Sequence, residues 1–181
     1  MNIPNLLTLL RIIMVPVIVI LLIQGSFLKA LIVFIAASLT DALDGFLARV
    51  LHQQTVLGSY LDPIADKALL ASSFVTLSVL HIIPGWLTVI VISRDFIILL
   101  GISVFSIMSI TVEIRPAFIS KITTTLQLVT VLLSLSVLCL PGAFNEMWLL
   151  TLYWVTAFFT IISGLNYMAR GMRLINNDAR K

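Results

Sequence analysis

Six apolar stretches, each close to the length that crosses a bilayer, dominate this chain and leave it few ways to fold. They fall at about 4–24, 28–51, 60–82, 85–108, 118–140 and 145–171, and a helix needs roughly 20 apolar residues to span the hydrocarbon. Backbone polar groups in lipid must find partners within the protein, which restricts spanning segments to helices or closed barrels. No stretch keeps a period-2 alternation, so helix is predicted throughout. Hydrophobic residues make up 60% of the chain and charged residues 10%, against about 45–50% and about 25% in an ordinary soluble domain. Pro84-Gly85 and Pro141-Gly142 punctuate short connections. No linker, low-complexity tract or internal repeat interrupts the pattern. The expectation is one all-α integral membrane domain over residues 1–181, with six transmembrane helices and an N-terminal interfacial turn.

The basic residues orient such a bundle. Alternate connections place Arg49, Arg115, Lys121, Arg170, Arg173, Arg180 and Lys181 on one side, against Lys29 on the other. By the positive-inside rule both termini face the cytoplasm. Trp86 and Trp148 open the two helices that start on the opposite side, as interfacial anchors do. The net charge of +3 is then an orientation signal at an anionic lipid surface and gives no sign of nucleic-acid binding. The first apolar run lacks a basic leader and a small-residue cleavage site, and is read as mature sequence. Cys139 is read as core packing, and His52 and His81 as non-catalytic.

Against this background the acids are misplaced. The chain has eight acidic residues, and Asp41, Asp44, Asp62 and Asp66 fall within DALDGFLARVLHQQTVLGSYLDPIAD, residues 41–66. At 3.6 residues per turn, Asp41, Asp44, Gly45, Ala48 and Arg49 occupy an arc of roughly 140°. Gly58, Asp62 and Asp66 recur at a spacing of four on the next helix. A helical hairpin therefore carries acids on the last turns of one helix and the first turns of the next, able to converge at the cytoplasmic end.

Four carboxylates do not stay ionised together at low dielectric without cations, because each repels its neighbours and each resists desolvation. Donor sets of oxygen alone favour hard ions such as Mg2+ or Mn2+. Four carboxylates around two such ions give the arrangement that clamps phosphoryl oxygens during in-line displacement. Gly45, Ala48 and Gly58 leave room for a bulky ligand, and Arg49 offers a bidentate contact to phosphate. The plainer alternative is a set of solvated caps or structural ion pairs with Lys67, Arg94 and Arg49. Four acids in register on consecutive membrane helices favour the functional reading.

Asp41-x2-Asp44-Gly45-x2-Ala48-Arg49-x8-Gly58-x3-Asp62-x3-Asp66 resembles the signature of the CDP-alcohol phosphatidyltransferases at all eight positions. NIPNLLTLLRI at the start, SRD at 93–95, SKITTTLQ at 120–127 and SGLNYMARG near the end resemble the bacterial branch that transfers to glycerol 3-phosphate. The resemblance implies a six-helix enzyme of the bacterial cytoplasmic membrane, with its active site facing the cytoplasm. It also implies two divalent cations, Mg2+ or Mn2+, held by Asp41, Asp44, Asp62 and Asp66. Asp66 would double as general base, and Gly45, Ala48, Arg49 and Gly58 would line the CDP site. The implied reaction is attack by the 1-hydroxyl of sn-glycerol 3-phosphate on the β-phosphorus of CDP-diacylglycerol, releasing CMP. The family resemblance further implies a homodimer.

An anionic acceptor needs cations, and Arg94, Arg115 and Lys121 are the candidates. Arg94 and Asp95 are adjacent, and neighbours on a helix do not face each other, which predicts separate partners for them. Asn5, Thr8 and Arg11 recur at intervals of three in the first helix. That stripe suits either an amphipathic interfacial helix or a ligand contact, and the resemblance favours Asn5 and Thr8 as contacts to CDP-diacylglycerol. Two rival readings stay open: the same chemistry with another acceptor, as in a cardiolipin synthase, and a divalent-cation transporter that uses the acids as a permeation site.

Overall fold

The computed structural model describes the backbone of residues 3–50, 56–107, 118–140 and 146–178, and the side chains of 8–41, 64–101, 118–140 and 147–172. Among the described residues all regular structure is helical. The helices are α1 (Ile3–Ile23), α2 (Phe27–Val50), α3 (Val56–Val79), α4 (Gly85–Ile107), α5 (Phe118–Cys139) and α6 (Glu146–Asp178). These follow the six apolar stretches, except that α3 begins at Val56, four residues before the expected 60, and α6 runs to Asp178, past the expected 171. The α6 extension ends in the polar run Asn176-Asn177-Asp178, and the α3 extension carries Gly58 and Ser59, so in both places the helix outruns the uninterrupted apolar stretch.

Apolar side chains lie on both sides of this bundle. Ile18 and Leu22 of α1, Phe34 of α2, Phe74 and Leu77 of α3, Leu87 of α4, Leu135 of α5 and Tyr153 of α6 form one continuous core. Outside it, Ile13, Ile23, Val79, Val89, Trp148 and Leu165 are all more than half exposed. Large apolar side chains exposed in such number suit a lipid-facing surface better than a water-facing one. Helices α5 and α6 each contain a span long and apolar enough to cross a membrane. Trp86 at the start of α4 packs on Trp154 with ring centroids 4.9 Å apart.

The polar residues turn inward instead. Thr123, Gln127, Thr130 and Ser134 form a stripe on α5 that is fully buried against Tyr153, Thr156, Thr160 and Ser163 of α6. Thr130 and Thr156 share a hydrogen bond of 2.8 Å, and Ser134 meets the Tyr153 hydroxyl at 3.1 Å. Thr123 donates to the carbonyl of Phe159 at 3.2 Å. Lipid tails give helices no hydrophobic reason to associate, so small residues and such bonds join them. Packing is pairwise: α1 against α2 and α3, α5 against α2, α3 and α6, and α4 between α3 and α6. The two helices that carry the four aspartates are thus both backed by α1 and both in contact with α5.

Two turns stop helices by the same device. After α1, Gly25 takes φ +70° while Ser26 N donates to Leu21 O and Gly25 N to Leu22 O. That six-to-one and five-to-two pair is a Schellman cap, in which a left-handed residue lets two orphan carbonyls be satisfied. After α3 the pattern repeats with His81 at φ 58°, Ile82 N bonding Leu77 O and His81 N bonding Ser78 O. A histidine there has a Cβ that crowds its own carbonyl, which glycine avoids. The expected outcome of His81→Gly is a stabilisation of about 0.5–1 kcal/mol, after the loss to a more flexible unfolded chain. Thermal unfolding in detergent would show it as a rise of about 1–4 °C in Tm, and a fall in Tm would contradict this account of the turn.

Candidate active site

The acidic hairpin is built as its spacing predicts: Asp41 and Asp44 lie toward the end of α2, Asp62 and Asp66 in the first half of α3. Asp41 and Asp66 converge. Both meet the same nitrogen, Nη1 of Arg11 on α1, Asp41 through Oδ1 at 2.9 Å and Asp66 through Oδ1 in a very short contact. The side chain of Arg11 is completely buried, whereas those of Asp41 and Asp66 are 43% and 38% exposed. The arginine therefore stands behind the carboxylates, and they open toward a cavity.

That cavity has a volume of about 370 Å³. Ser38, Asp41, Asp66, Lys121 and Thr124 give it polar walls, and Leu69, Leu70 and Leu128 supply an apolar part. Helices α2, α3 and α5 contribute all of these residues. Lys121 is exposed at the start of α5 and shares the space with the two aspartates. Such a cavity offers carboxylate oxygens, one ammonium group and a patch fit for hydrocarbon.

The donors fit a hard divalent cation. Two carboxylate oxygens already converge on one cationic nitrogen, so a positive charge is the natural occupant of the place between them. All the expected ligands are oxygens, as Mg2+ and Mn2+ require. The side chains of Asp44 and Asp62 lie outside the described residues, and among the described residues no group of three or more metal-binding side chains occurs.

The other expected residues divide. Thr8 is buried one turn before Arg11 on α1. The side chains of Asn5, Gly45, Ala48, Arg49 and Gly58, and Arg115 altogether, lie outside the described residues. Arg94 is not part of the cavity lining. It is 5% exposed, and its guanidinium donates to Ser120 Oγ at 2.6 Å, to Ser163 Oγ at 3.0 Å and to Asp95 Oδ1 at 2.6 Å. This bond corrects the expectation that Arg94 and Asp95 take separate partners. The arginine side chain is long enough to fold back over one residue, and a buried guanidinium takes the nearest carboxylate when α5 and α6 enclose it. The Arg94 side chain lies against Gly164 of α6, its Cγ 3.6 Å from where a Cβ there would stand, an ordinary contact distance. Lys67, beside Asp66 in sequence, turns to Asp95 as well, at 3.9 Å.

Arg11, one step of the polar stripe, meets Asp41 and Asp66, a pairing that the sequence reading had not assigned to it. Its signal was present: an arginine in the middle of an apolar helix, the same feature that drew attention to Arg94.

Residues 1–162 match the family model described as CDP-alcohol phosphatidyltransferase. The chain is 36% identical over 190 residues to a cardiolipin synthase (CMP-forming) of Rattus norvegicus, covering 96% of this chain and 63% of that protein. It is 35% identical to a probable phosphatidylglycerophosphate synthase of Mycobacterium tuberculosis, covering 95% of this chain and 82% of the relative. To the CDP-diacylglycerol-glycerol-3-phosphate 3-phosphatidyltransferase of Bacillus subtilis it is 32% identical, and the match covers 98% of both chains. The chain thus spans less than two thirds of the length of the cardiolipin synthases it matches, and nearly all of the Bacillus enzyme. With the family model matched over most of its length and the signature aspartates on α2 and α3, this chain belongs to the CDP-alcohol phosphatidyltransferase family.

Proposed function

We propose that the protein transfers the phosphatidyl group of CDP-diacylglycerol to sn-glycerol 3-phosphate, giving phosphatidylglycerol phosphate and CMP. The observation that carries this reading is the convergence of Asp41 and Asp66 on a cavity that also contains Lys121 and a leucine-lined part. Near end-to-end correspondence with the Bacillus subtilis enzyme favours glycerol 3-phosphate as the acceptor. Six membrane spans, an active site open to the cytoplasm and a homodimer are part of the same proposal. The ring of exposed apolar side chains supports the first, and the distribution of basic residues supports the second.

In this reading Asp41, Asp44, Asp62 and Asp66 would hold two divalent ions, which would supply positive charge to the pyrophosphate and to the departing CMP. Gly45, Ala48, Arg49 and Gly58 take the CDP moiety, with Asn5 and Thr8 of α1 beside it. Asp66, exposed to the cavity, accepts the proton of the acceptor hydroxyl. The acceptor oxygen forms its bond to the β-phosphorus as the bond to CMP breaks, and CMP leaves with the electron pair. Lys121 holds the acceptor phosphate, being the candidate cation that lines the cavity. Arg115 is proposed with it. Arg94, proposed from sequence for the same role, would have to exchange its bonds to Ser120, Ser163 and Asp95 to take it.

A second reading keeps the chemistry and uses phosphatidylglycerol as the acceptor, as the cardiolipin synthase relatives suggest. A cation transporter is less well supported, because the acids cluster toward one end of α2 and α3. Purified protein given CDP-diacylglycerol and Mn2+ should release CMP with glycerol 3-phosphate. Release with phosphatidylglycerol alone would reject the acceptor.

Asp66→Asn should lower turnover by about 10²–10⁴-fold, the usual contribution of a general base, and should retain CDP-diacylglycerol binding. Turnover near the unmodified value would refute the base assignment. Lys121→Met should raise KM for glycerol 3-phosphate roughly 10- to 100-fold, the weight of a hydrogen bond to a charged group. Its KM for CDP-diacylglycerol should be little changed, and a reversed pattern would place Lys121 at the donor.

A further inference from the structure

We propose that Arg11 is a positioning residue that serves as the site's resident counter-cation. It holds Asp41 and Asp66 together when divalent ions are away, and it yields part of that role when ions load. The inference rests on the metal-dependent transferase reading and assigns a role that the family signature on α2 and α3 does not contain.

The geometry argues for a counter-cation over a packing residue. Arg11 is 0% exposed within an apolar helix, where an arginine persists only with charge and hydrogen-bond partners. One nitrogen, Nη1, contacts Oδ1 of both aspartates, so a single charge bridges α2 and α3. Lys67 is the nearest cation in sequence to Asp66, yet it is directed to Asp95. Arg11 approaches from the protein side, while both carboxylates remain more than one third exposed toward the cavity. Ions can therefore reach the aspartates without displacing the arginine from the core.

The sign of the effect follows from Coulomb's law. Without ions, the guanidinium offsets the repulsion between two adjacent carboxylates. With ions bound, it stands close to further positive charge and repels it. Removing Arg11 should therefore harm the metal-free protein more than the metal-loaded one. A residue that merely filled space would cost the same in both states.

The test is thermal unfolding of the purified full chain in detergent, in EDTA and in saturating Mn2+. Arg11→Met should lose on the order of 10 °C of Tm in EDTA, as expected for a partly buried charge left uncompensated. In Mn2+ the loss should be less than half as large. Arg11→Lys should retain most of the EDTA Tm. Adding Asp41→Asn to Arg11→Met should recover part of the loss, because the repelling charge is then gone. Equal losses in EDTA and Mn2+, or strictly additive losses in the double variant, would overturn the proposal. If Arg11→Met does not fold, Arg11→Lys and the double variant, each compared with the unmodified chain in both conditions, decide the question. CMP release by the unmodified chain is measured separately. No release, together with a Mn2+-dependent difference among variants, rejects the transferase reading and keeps the counter-cation. Release without that difference does the reverse.

Discussion

The site depends on one guanidinium between two carboxylates. Arg11 comes from α1, Asp41 from α2 and Asp66 from α3, and Nη1 of the first meets Oδ1 of both others. Three helices are registered against each other by that contact. Leaving one partner of a buried ion pair alone costs about 3–5 kcal/mol. The partial exposure of the two aspartates reduces that cost here, since water shares the screening. What the contact fixes is position: the carboxylates cannot separate to relieve their repulsion, and they open on the same cavity as Lys121.

A second buried cation shows how differently the same residue type can be used. Arg94 is surrounded by Ser120 of α5, Ser163 of α6 and its own neighbour Asp95. Those partners include a single carboxylate, which Lys67 of α3 also approaches at 3.9 Å. Arg11 instead meets two acids, so its neighbourhood carries an excess of negative charge among the contacts that define it. The Arg94 cluster joins α4, α5 and α6. The Arg11 cluster leaves two partly exposed carboxylates on a cavity, which is what the proposed divalent ions would need.

Helix number and order were legible because hydropathy acts on every residue of a span, so six segments could be read with end errors of a few residues. The acidic hairpin was legible because helical periodicity converts spacing directly into a face. Other features were not. The α5–α6 stripe of Thr123, Gln127, Thr130 and Ser134 has helical spacing too, but threonine and serine satisfy their own helix carbonyls and carry little signal in an apolar run. Thr130 bonds Leu126 O as well as Thr156. Arg94 was read as an acceptor-phosphate candidate, yet its bond to Asp95 depends on how α5 and α6 close over it. Arg11 was visible as one step of a polar stripe, and its partners lie 30 and 55 residues away in sequence, a pairing that only the tertiary fold decides.

The positive charge that four acids need has one source in the chain itself and, in the proposed reading, a second in divalent ions. Part of the charge belongs to the chain, in Arg11, and cannot diffuse away. The remainder has to be recruited. A site supplied entirely by its own arginines would hold the carboxylates permanently paired and leave them no coordination to offer an ion or a phosphate. A site with no internal cation would force the acids apart or make them take up protons until metal arrived. One buried guanidinium for two described carboxylates lies between these limits. It keeps the two carboxylates converged while leaving both partly exposed to the cavity, so that in the proposed reading metal and the anionic donor would complete a charge arrangement that the three helices have already begun.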